Sequence, residues 1–164
     1  MTGLIKQFIK KWQRSEWNSV KKSSHLYPAG PLVTLKIKST DGRLLSGWVN
    51  SGYKNYPHRQ FCAYNFLINV TYPGAAFSHT ETDMETVEQY FRSHLQNVCA
   101  SHMVARLATI EGLNLEMYLE DATAGKAALQ KMANNPYNFF AFTYEYHFDP
   151  DWEAVSGIFN YIKE

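Results

Sequence analysis

Cysteine is scarce in this chain, which has two, Cys62 and Cys99, among 164 residues. Two thiols are too few for the disulfide framework of a small secreted domain or for a zinc site with four cysteine ligands. The scarcity of cysteine predicts a reducing, cytoplasmic location. Since the chain also lacks a glycine-rich phosphate loop, the sequence predicts no metal and no other cofactor. Cys62 begins a predicted strand and Cys99 ends the helix predicted after it, so a single bridge between them stays open as an alternative.

Long apolar runs are also missing. No uninterrupted stretch approaches the roughly 20 residues that a membrane-spanning helix needs. At the N-terminus, Lys6, Lys10 and Lys11 interrupt the region where a signal peptide would have its apolar core. We therefore expect neither a membrane span nor a secretion signal.

An excess of charge of either sign is absent, because 16 Lys and Arg residues face 15 Asp and Glu residues, for a net charge of +1. Such a chain has no general attraction to nucleic acid, which is not an expected partner, or to anionic membranes. Any electrostatic partner must therefore meet a local patch. A hydrophobic content of 45% is ample for a packed core and excludes a disordered chain.

The local patch is in the first 22 residues, which predict an amphipathic basic helix. Its apolar residues recur at helical spacing, and only Glu16 opposes the basic residues around them. The favoured interpretation is a helix docked on its own domain with solvated lysines, and the alternative is an arm for a membrane surface, RNA or an acidic partner. Residues 23–31 predict a connector, and residues 32–164 a single α+β domain. The apolar stripe is Leu4, Ile5, Phe8, Ile9 and Trp12.

The densest aromatic stretch, FFAFTYEYHFDPDW, spans residues 139–152. Strict alternation predicts a strand with one aromatic face, which we expect two helices to bury completely. Asp149 and Pro150 then predict the start of a C-terminal helix, since Asp caps free N–H groups and Pro suits the first turn. The rings on the aromatic face are Phe140, Phe142, Tyr144, Tyr146 and Phe148.

Two hairpins are predicted by alternation around turn residues, at 32–50 across Asp41-Gly42 and at 102–120 across residues 111–113. The first turn predicts positive φ at both Asp41 and Gly42. The predicted cross-strand pairs are Leu35–Trp48 and Ile37–Ser46 in the first hairpin, and Ile110–Asn114, Ala108–Glu116 and Arg106–Tyr118 in the second.

The order of elements predicts the fold. A strand at 61–72 precedes a helix that Thr82 and Glu85 would cap and that runs to about residue 100, and a shorter helix covers 123–134. Strand, helix, two strands, helix and strand is the order of the ferredoxin-like split βαβ sandwich, an antiparallel sheet with two helices on one face. The N-terminal helix, the first hairpin and the C-terminal helix are additions. Their unburied apolar stripes favour a dimer.

This order, with Asp149-Pro150-Asp151-Trp152-Glu153 after an aromatic strand, resembles an uncharacterised bacterial family, domain of unknown function 695. That family is related in turn to the regulator of ribonuclease E activity B. The resemblance covers roughly residues 32–159. The first family implies no established activity, and the second implies an inhibitory protein–protein contact with a ribonuclease.

The sheet face away from the two helices is predicted to be open and polar. Its charged side chains favour cross-strand pairing for stability, and the alternative is acid–base chemistry by carboxylates near an Arg and a His. The leading hypothesis is therefore a regulatory or protein-interaction domain without catalytic activity, which works through this face and the terminal helices. The alternatives are a small enzyme and a membrane- or RNA-tethered domain. The candidate binding residues are Arg106, Glu116, Tyr118, Glu145 and His147, and the enzyme alternative uses Arg106, Glu116, Glu145 and His147.

Overall fold

The computed structural model describes residues 3–38, 40–72 and 80–162, and of residues 4, 44, 81 and 82 it describes the backbone alone. Short 3-10 helices lie at Ser51–Tyr53 and Arg59–Phe61. The other elements of the described chain are α1 (Gly3–Val20), β1 (Leu32–Lys38), β2 (Leu44–Asn50), β3 (Tyr64–Thr71), α2 (Glu81–Gln96), β4 (Ser101–Ala108), β5 (Gly112–Leu119), α3 (Ala122–Ala133), β6 (Ala141–Phe148) and α4 (Glu153–Phe159).

The six strands form one antiparallel sheet in the order β1-β2-β4-β5-β3-β6. Its last four members, with α2 after β3 and α3 after β5, are the split βαβ arrangement that the sequence predicts. The α+β, ferredoxin-like fold is therefore confirmed. The first hairpin extends the sheet beyond β4, so β1 and β6 are the two edge strands.

The first core lies between the sheet and the helices α2 and α3. It takes Val87, Phe91 and Leu95 from α2 and Leu129 and Met132 from α3. These residues recur every three or four positions, which places them on one side of each helix. The sheet contributes Phe66, Ile68, Leu115, Met117 and Leu119, among others.

The aromatic row of β6 faces this first core, as predicted, but the helices do not bury all of it. Phe140 is buried, and Phe142 and Tyr144 are partly buried against the core. Tyr146 and Phe148 are 44% and 64% exposed, so the prediction of complete burial is wrong for both. The physical reason is that β6 is the edge strand: Tyr146 stacks on Phe66 of the neighbouring strand, and the residue that reaches its ring from α3 is the cation Lys126.

A second core covers much of the opposite face, which we predicted to be open. Trp17 of α1, Tyr53 and Tyr56 of the 51–62 segment, and Val155 and Phe159 of α4 pack there. Three layers therefore replace the predicted two, and the prediction of a free hydrophilic face is wrong where β1, β2, β4 and β5 contribute to this second core. The sequence of this segment alternates tyrosines with polar residues, which is why it predicts a polar loop.

The first hairpin has a register one residue away from the prediction. Leu35 lies opposite Gly47, and Thr34 opposite Trp48. Because side chains alternate between faces, this shift places Trp48 in the first core and Leu35 in the second. The pairing ends at Lys38 and Leu44, and Gly42 has φ of +87° while Asp41 does not have positive φ, so the predicted two-residue turn is wrong.

The second hairpin also departs from its predicted register. Ala108 lies opposite Leu113 and Arg106 opposite Leu115, three residues away from the predicted pairing. An odd shift reverses the faces of β4 relative to β5, so Arg106 lies on the helix side. An irregularity between Met103 and Ala105 shifts the register by one more residue, so that from Met103 back to Ser101 the residues of β4 face the sides that the sequence predicted.

The helix ends show several wrong predictions and one correct residue. α2 begins two residues earlier than the predicted Thr82, because the Thr80 hydroxyl accepts a hydrogen bond from the Asp83 amide. It also ends at Gln96 rather than near residue 100. The Asp149 carboxylate caps α4 as predicted, by accepting from the Glu153 and Ala154 amides. The helix begins only at Glu153, so the prediction of Pro150 in its first turn is wrong, because the chain makes a turn first and Trp152 has a left-handed backbone with φ of +60°.

In the described part of the chain, no helix is long and apolar enough to cross a membrane.

Candidate functional site

The structure brings three of the five predicted site residues together and separates two. Glu116 and Tyr118 of β5 and His147 of β6 share the face that carries the second core. Glu145 is on the same face but lies opposite Leu67, which separates it from Glu116 by the whole of β3. Two strand spacings are about 10 Å, beyond the reach of a shared proton for Glu145 and equally for His147, which acts on Glu116 and Asp149 through its charge.

Arg106 is the clearest error among the predicted site residues. It is buried on the helix side, where its guanidinium lies 3.3 Å from the Glu88 carboxylate of α2 and over the Trp48 ring. Glu88 also pairs with Arg92 in the same helix. Arg106 therefore ties α2 to the sheet and takes no part in chemistry on the other face.

Asp149 is the centre of the polar cluster that does form, which consists of Asn65, Glu116, Tyr118, His147 and Asp149. The Tyr118 hydroxyl donates to the Asp149 carboxylate across 2.6 Å. The same carboxylate accepts from the Glu153 and Ala154 amides, at 2.9 and 3.0 Å. Asp149 thus joins β5 to the first turn of α4, and three donors occupy its oxygens.

The charges of the cluster are shifted in opposite directions. Burial raises the pKa of Asp149, but hydrogen bonds from Tyr118 and the two α4 amides outweigh it, so the net pKa lies below the usual range. Burial raises the pKa of Glu116, against a hydrogen bond that the Asn65 amide donates to it and the nearby imidazole of His147. The cluster therefore holds one firmly ionised carboxylate and one that protonates more readily than usual.

The polar groups of this cluster are bound to one another and to neighbouring parts of the fold. Asp149 is fully engaged as a helix cap, Tyr118 is buried under the Trp152 ring at 4.1 Å, and Glu116 is engaged by Asn65. The enzyme alternative required an Arg and a second carboxylate, and neither Arg106 nor Glu145 reaches the cluster. The polar residues that suggested acid–base catalysis hold β3, β5 and α4 together.

His102 of β4 is a buried polar residue that the sequence did not single out as a candidate. Its Nδ1 lies 3.2 Å from the Tyr53 hydroxyl, and four rings surround the imidazole with centroids 5.0–5.9 Å away. Burial lowers the pKa of His102 to about 3, so the ring is neutral. The spacing of Tyr53 and Tyr56, one turn of a 3-10 helix apart, was an available signal for a buried ring cluster. The rings are those of Tyr27, Tyr53, Tyr56 and Trp152.

The two cysteines are free thiols, so the bridge left open by the sequence is not formed. Cys62 packs in the second core, and Cys99 packs against the first. Burial raises the pKa of both thiols, which keeps them protonated and weakly nucleophilic. Among the side chains that the structure describes, no three His, Cys, Asp or Glu residues are grouped to hold a metal.

The edge of β6 is the most unusual surface for docking. The Asp149 amide donates to the Ala63 carbonyl at 2.7 Å, which makes this a hydrogen-bonded position of the β3–β6 ladder. Such positions alternate in antiparallel pairs, so the N–H and C=O groups of the intervening residues point away from β3, to the open edge. These residues are Phe142, Tyr144, Tyr146 and Phe148.

The other edge, β1, differs in its side chains. The Ser51 amide donates to the Pro31 carbonyl at 3.1 Å, so by the same alternation Thr34, Lys36 and Lys38 have outward backbone groups. Lysines on an edge discourage strand pairing, since a partner strand would have to desolvate their charges. At the equivalent positions of β6 every side chain is aromatic, so only β1 of these two edges is protected by charge.

No family model, curated protein or solved structure matches this chain. The resemblance to domain of unknown function 695 and to the ribonuclease regulator therefore stays a prediction.

Proposed function

We propose that this chain is a cytoplasmic, non-catalytic protein-interaction domain, and that its β6 edge pairs antiparallel with β6 of a second copy. The observation that carries the proposal is the open backbone edge of β6, bordered by aromatic side chains without a lysine or proline. A long edge whose outward-facing backbone positions carry no charged side chain of their own is a template for strand addition. The free thiols of Cys62 and Cys99 support the cytoplasmic location.

Charge complementarity favours a second copy as the occupant. When Tyr146 lies on the two-fold axis, its outward backbone groups pair with those of Tyr146 in the second copy. Tyr144 then lies opposite Phe148 of the second copy, and Glu145 lies opposite His147 of the second copy. Aromatic pairs across strands each contribute about 0.2–1 kcal/mol, and a carboxylate opposite an imidazole can pair with it through a hydrogen bond. The two-fold symmetry repeats each pair, so the gain is doubled.

The edge itself is tested by sedimentation equilibrium over a range of protein concentrations. We expect wild type to show a monomer–dimer equilibrium, and Tyr144→Pro or Tyr146→Lys to weaken dimerisation at least about tenfold, since one removes an outward donor and the other adds an edge charge. Thr34→Pro is the matched control, because it removes an outward N–H from β1. Circular dichroism shows whether each variant is folded.

The charge pairing is tested by exchanging the two residues. Glu145→His alone places imidazoles opposite each other and should weaken the dimer, whereas Glu145→His combined with His147→Glu restores the carboxylate–imidazole pair and should recover it. A wild-type protein that is monomeric up to millimolar concentration contradicts the proposal. So does a dimer that Thr34→Pro disrupts and Tyr144→Pro does not.

A further inference from the structure

Only the C-terminal end of α1 is docked on the rest of the chain. Trp17 is buried, stacks on the Phe61 ring with centroids 4.9 Å apart, and donates from its indole N–H to the Glu120 carboxylate at 2.8 Å. The Lys21 amine, in the turn after the helix, lies 2.9 Å from the same carboxylate. These contacts fix the direction in which α1 leaves the domain.

The apolar stripe of α1 lies on a different side of the helix. Ile5, Phe8, Ile9 and Trp12 are between 42% and 74% exposed. At 100° per residue, the five residues from Trp12 to Trp17 correspond to a rotation of about 140° around the helix axis. The domain therefore cannot cover the stripe while Trp17 stays in the second core, and the prediction of a fully docked helix is wrong.

Basic residues flank this stripe. Lys6 precedes Ile9 by three residues and Lys11 follows Phe8 by three, so each lies about 60° from the stripe, on opposite sides. Lys10 and Arg14 add two further positive charges, and Glu16 is the single carboxylate between Gly3 and Val20. The described side chains of all these cations are exposed.

We propose that α1 binds in the plane of an anionic lipid surface. The stripe, whose length from Ile5 to Trp12 is about 10 Å, enters the boundary between head groups and acyl chains, while the flanking cations meet lipid phosphates. RNA would neutralise the cations but leave Phe8 and Trp12 in water. A protein groove would need carboxylates on both rims, whereas an anionic bilayer offers charge and an apolar layer to any helix that lies flat on it.

The tryptophans provide a direct measurement. Trp12 is 63% exposed, while Trp17, Trp48 and Trp152, the other three of the four in the chain, are buried. On titration of the full-length protein with vesicles of phosphatidylglycerol and phosphatidylcholine in equal parts, we expect a blue shift of the emission and loss of quenching by iodide. Phosphatidylcholine vesicles alone should give a much smaller response, and Trp12→Phe should remove the shift while vesicle co-sedimentation persists.

Substitutions separate the apolar contribution from the charge contribution. Phe8→Asp should reduce vesicle partitioning at least about tenfold through loss of apolar burial. Lys6→Gln with Lys11→Gln, the two cations that flank the stripe, should reduce it about 25-fold, because each cation near an anionic surface contributes about fivefold. Tyr161→Asp is the control, since Tyr161 is an equally exposed ring outside α1 and its substitution should leave partitioning unchanged.

Three results would overturn the proposal. One is Trp12 emission that anionic vesicles leave unchanged. Another is an equal blue shift on adding polyuridylic acid or polyglutamate, which would show that α1 binds soluble polyanions through its basic residues. The third is a shift that depends on protein concentration without vesicles, which would assign the stripe to self-association. Tyr146→Lys should still bind vesicles, so failure of the β6 dimer and failure of the lipid contact are distinguishable.

Discussion

Asp149 is a single residue that stabilises both the helix directly after it and a strand distant in the sequence. Its carboxylate caps α4 through two amides and accepts the Tyr118 hydroxyl. We expect Asp149→Ala to lower the free energy of unfolding by about 2–4 kcal/mol, because it removes a cap and leaves a buried hydroxyl without its acceptor. Urea unfolding measures the change. Asp151→Ala, an exposed position in the same loop, should stay within about 0.5 kcal/mol of wild type.

His102 gives the protein a specific dependence on pH. Its pKa is about 3 in the folded state and 6.5 in an ordinary setting, so between these values the unfolded chain binds the proton and the folded chain does not. Stability should therefore fall as pH is lowered from 6.5, by up to about 1.4 kcal/mol per pH unit. The lowered pKa of Asp149 adds a further loss below about pH 4.

Urea midpoints between pH 7 and pH 4.5 test this, using His102→Gln. The variant should lose stability at pH 7 but show a flatter profile over this range, because the proton uptake on unfolding is gone. His25→Gln, at an exposed position, should retain the wild-type slope. Equal slopes for all three proteins would contradict the assignment of the titration to His102.

At the scale of elements, Gly→Ala substitutions should have opposite effects on stability at a crowded strand position and at an open helix position. A Cβ added at Gly112, at the start of β5, would lie 1.9 Å from the Val70 carbonyl oxygen, whereas one at Gly157 in α4 would meet nothing within 4 Å. Gly112→Ala should therefore cost about 2–3 kcal/mol by forcing the strands apart. Gly157→Ala should stabilise by about 0.5–1 kcal/mol, since Ala is the better helix former. Thermal unfolding of the two variants beside wild type measures both effects.

The elements also show which parts of the fold the sequence could predict. The alternation in β6 predicts its faces correctly, because period two is a property of the strand itself and does not depend on its neighbours. Hairpin registers depend on loop geometry, and neither the end of the first hairpin's pairing at Lys38 and Leu44 nor the irregularity near Met103 has a clear pattern in the sequence. One register error moved Arg106 to the wrong face and with it the candidate catalytic group.

The candidate cluster was predictable only in part for a related reason. Glu116, Tyr118 and His147 lie on strands whose alternation is clear, so their common face was correctly predicted. Asn65 was also placed on that face, but the use of Asp149 as both cap and acceptor depends on how α4 folds back over β5. That contact is between residues 31 positions apart, and no local pattern specifies it.

At the scale of the whole molecule, the sheet carries a core on each face and has two edges with different side chains. The segments outside the split βαβ unit, including α1, residues 51–62 and α4, cover the face that the simple fold leaves open. Much of the surface that the sequence suggested for docking is therefore interior. What stays exposed is the edge of β6 and the apolar stripe of α1, and the two proposals address these separately.

Amide hydrogen exchange along β6 shows, residue by residue, whether the edges of two β6 strands pair. In a protein concentrated enough to dimerise, the amides of Tyr144, Tyr146 and Phe148 should be protected, and dilution or Tyr146→Lys should release Tyr144 and Phe148. The amides of Thr143, Glu145 and His147 bond to β3 and should stay protected throughout. Fast exchange of the outward amides at every concentration, beside protected inward ones, would contradict pairing at this edge.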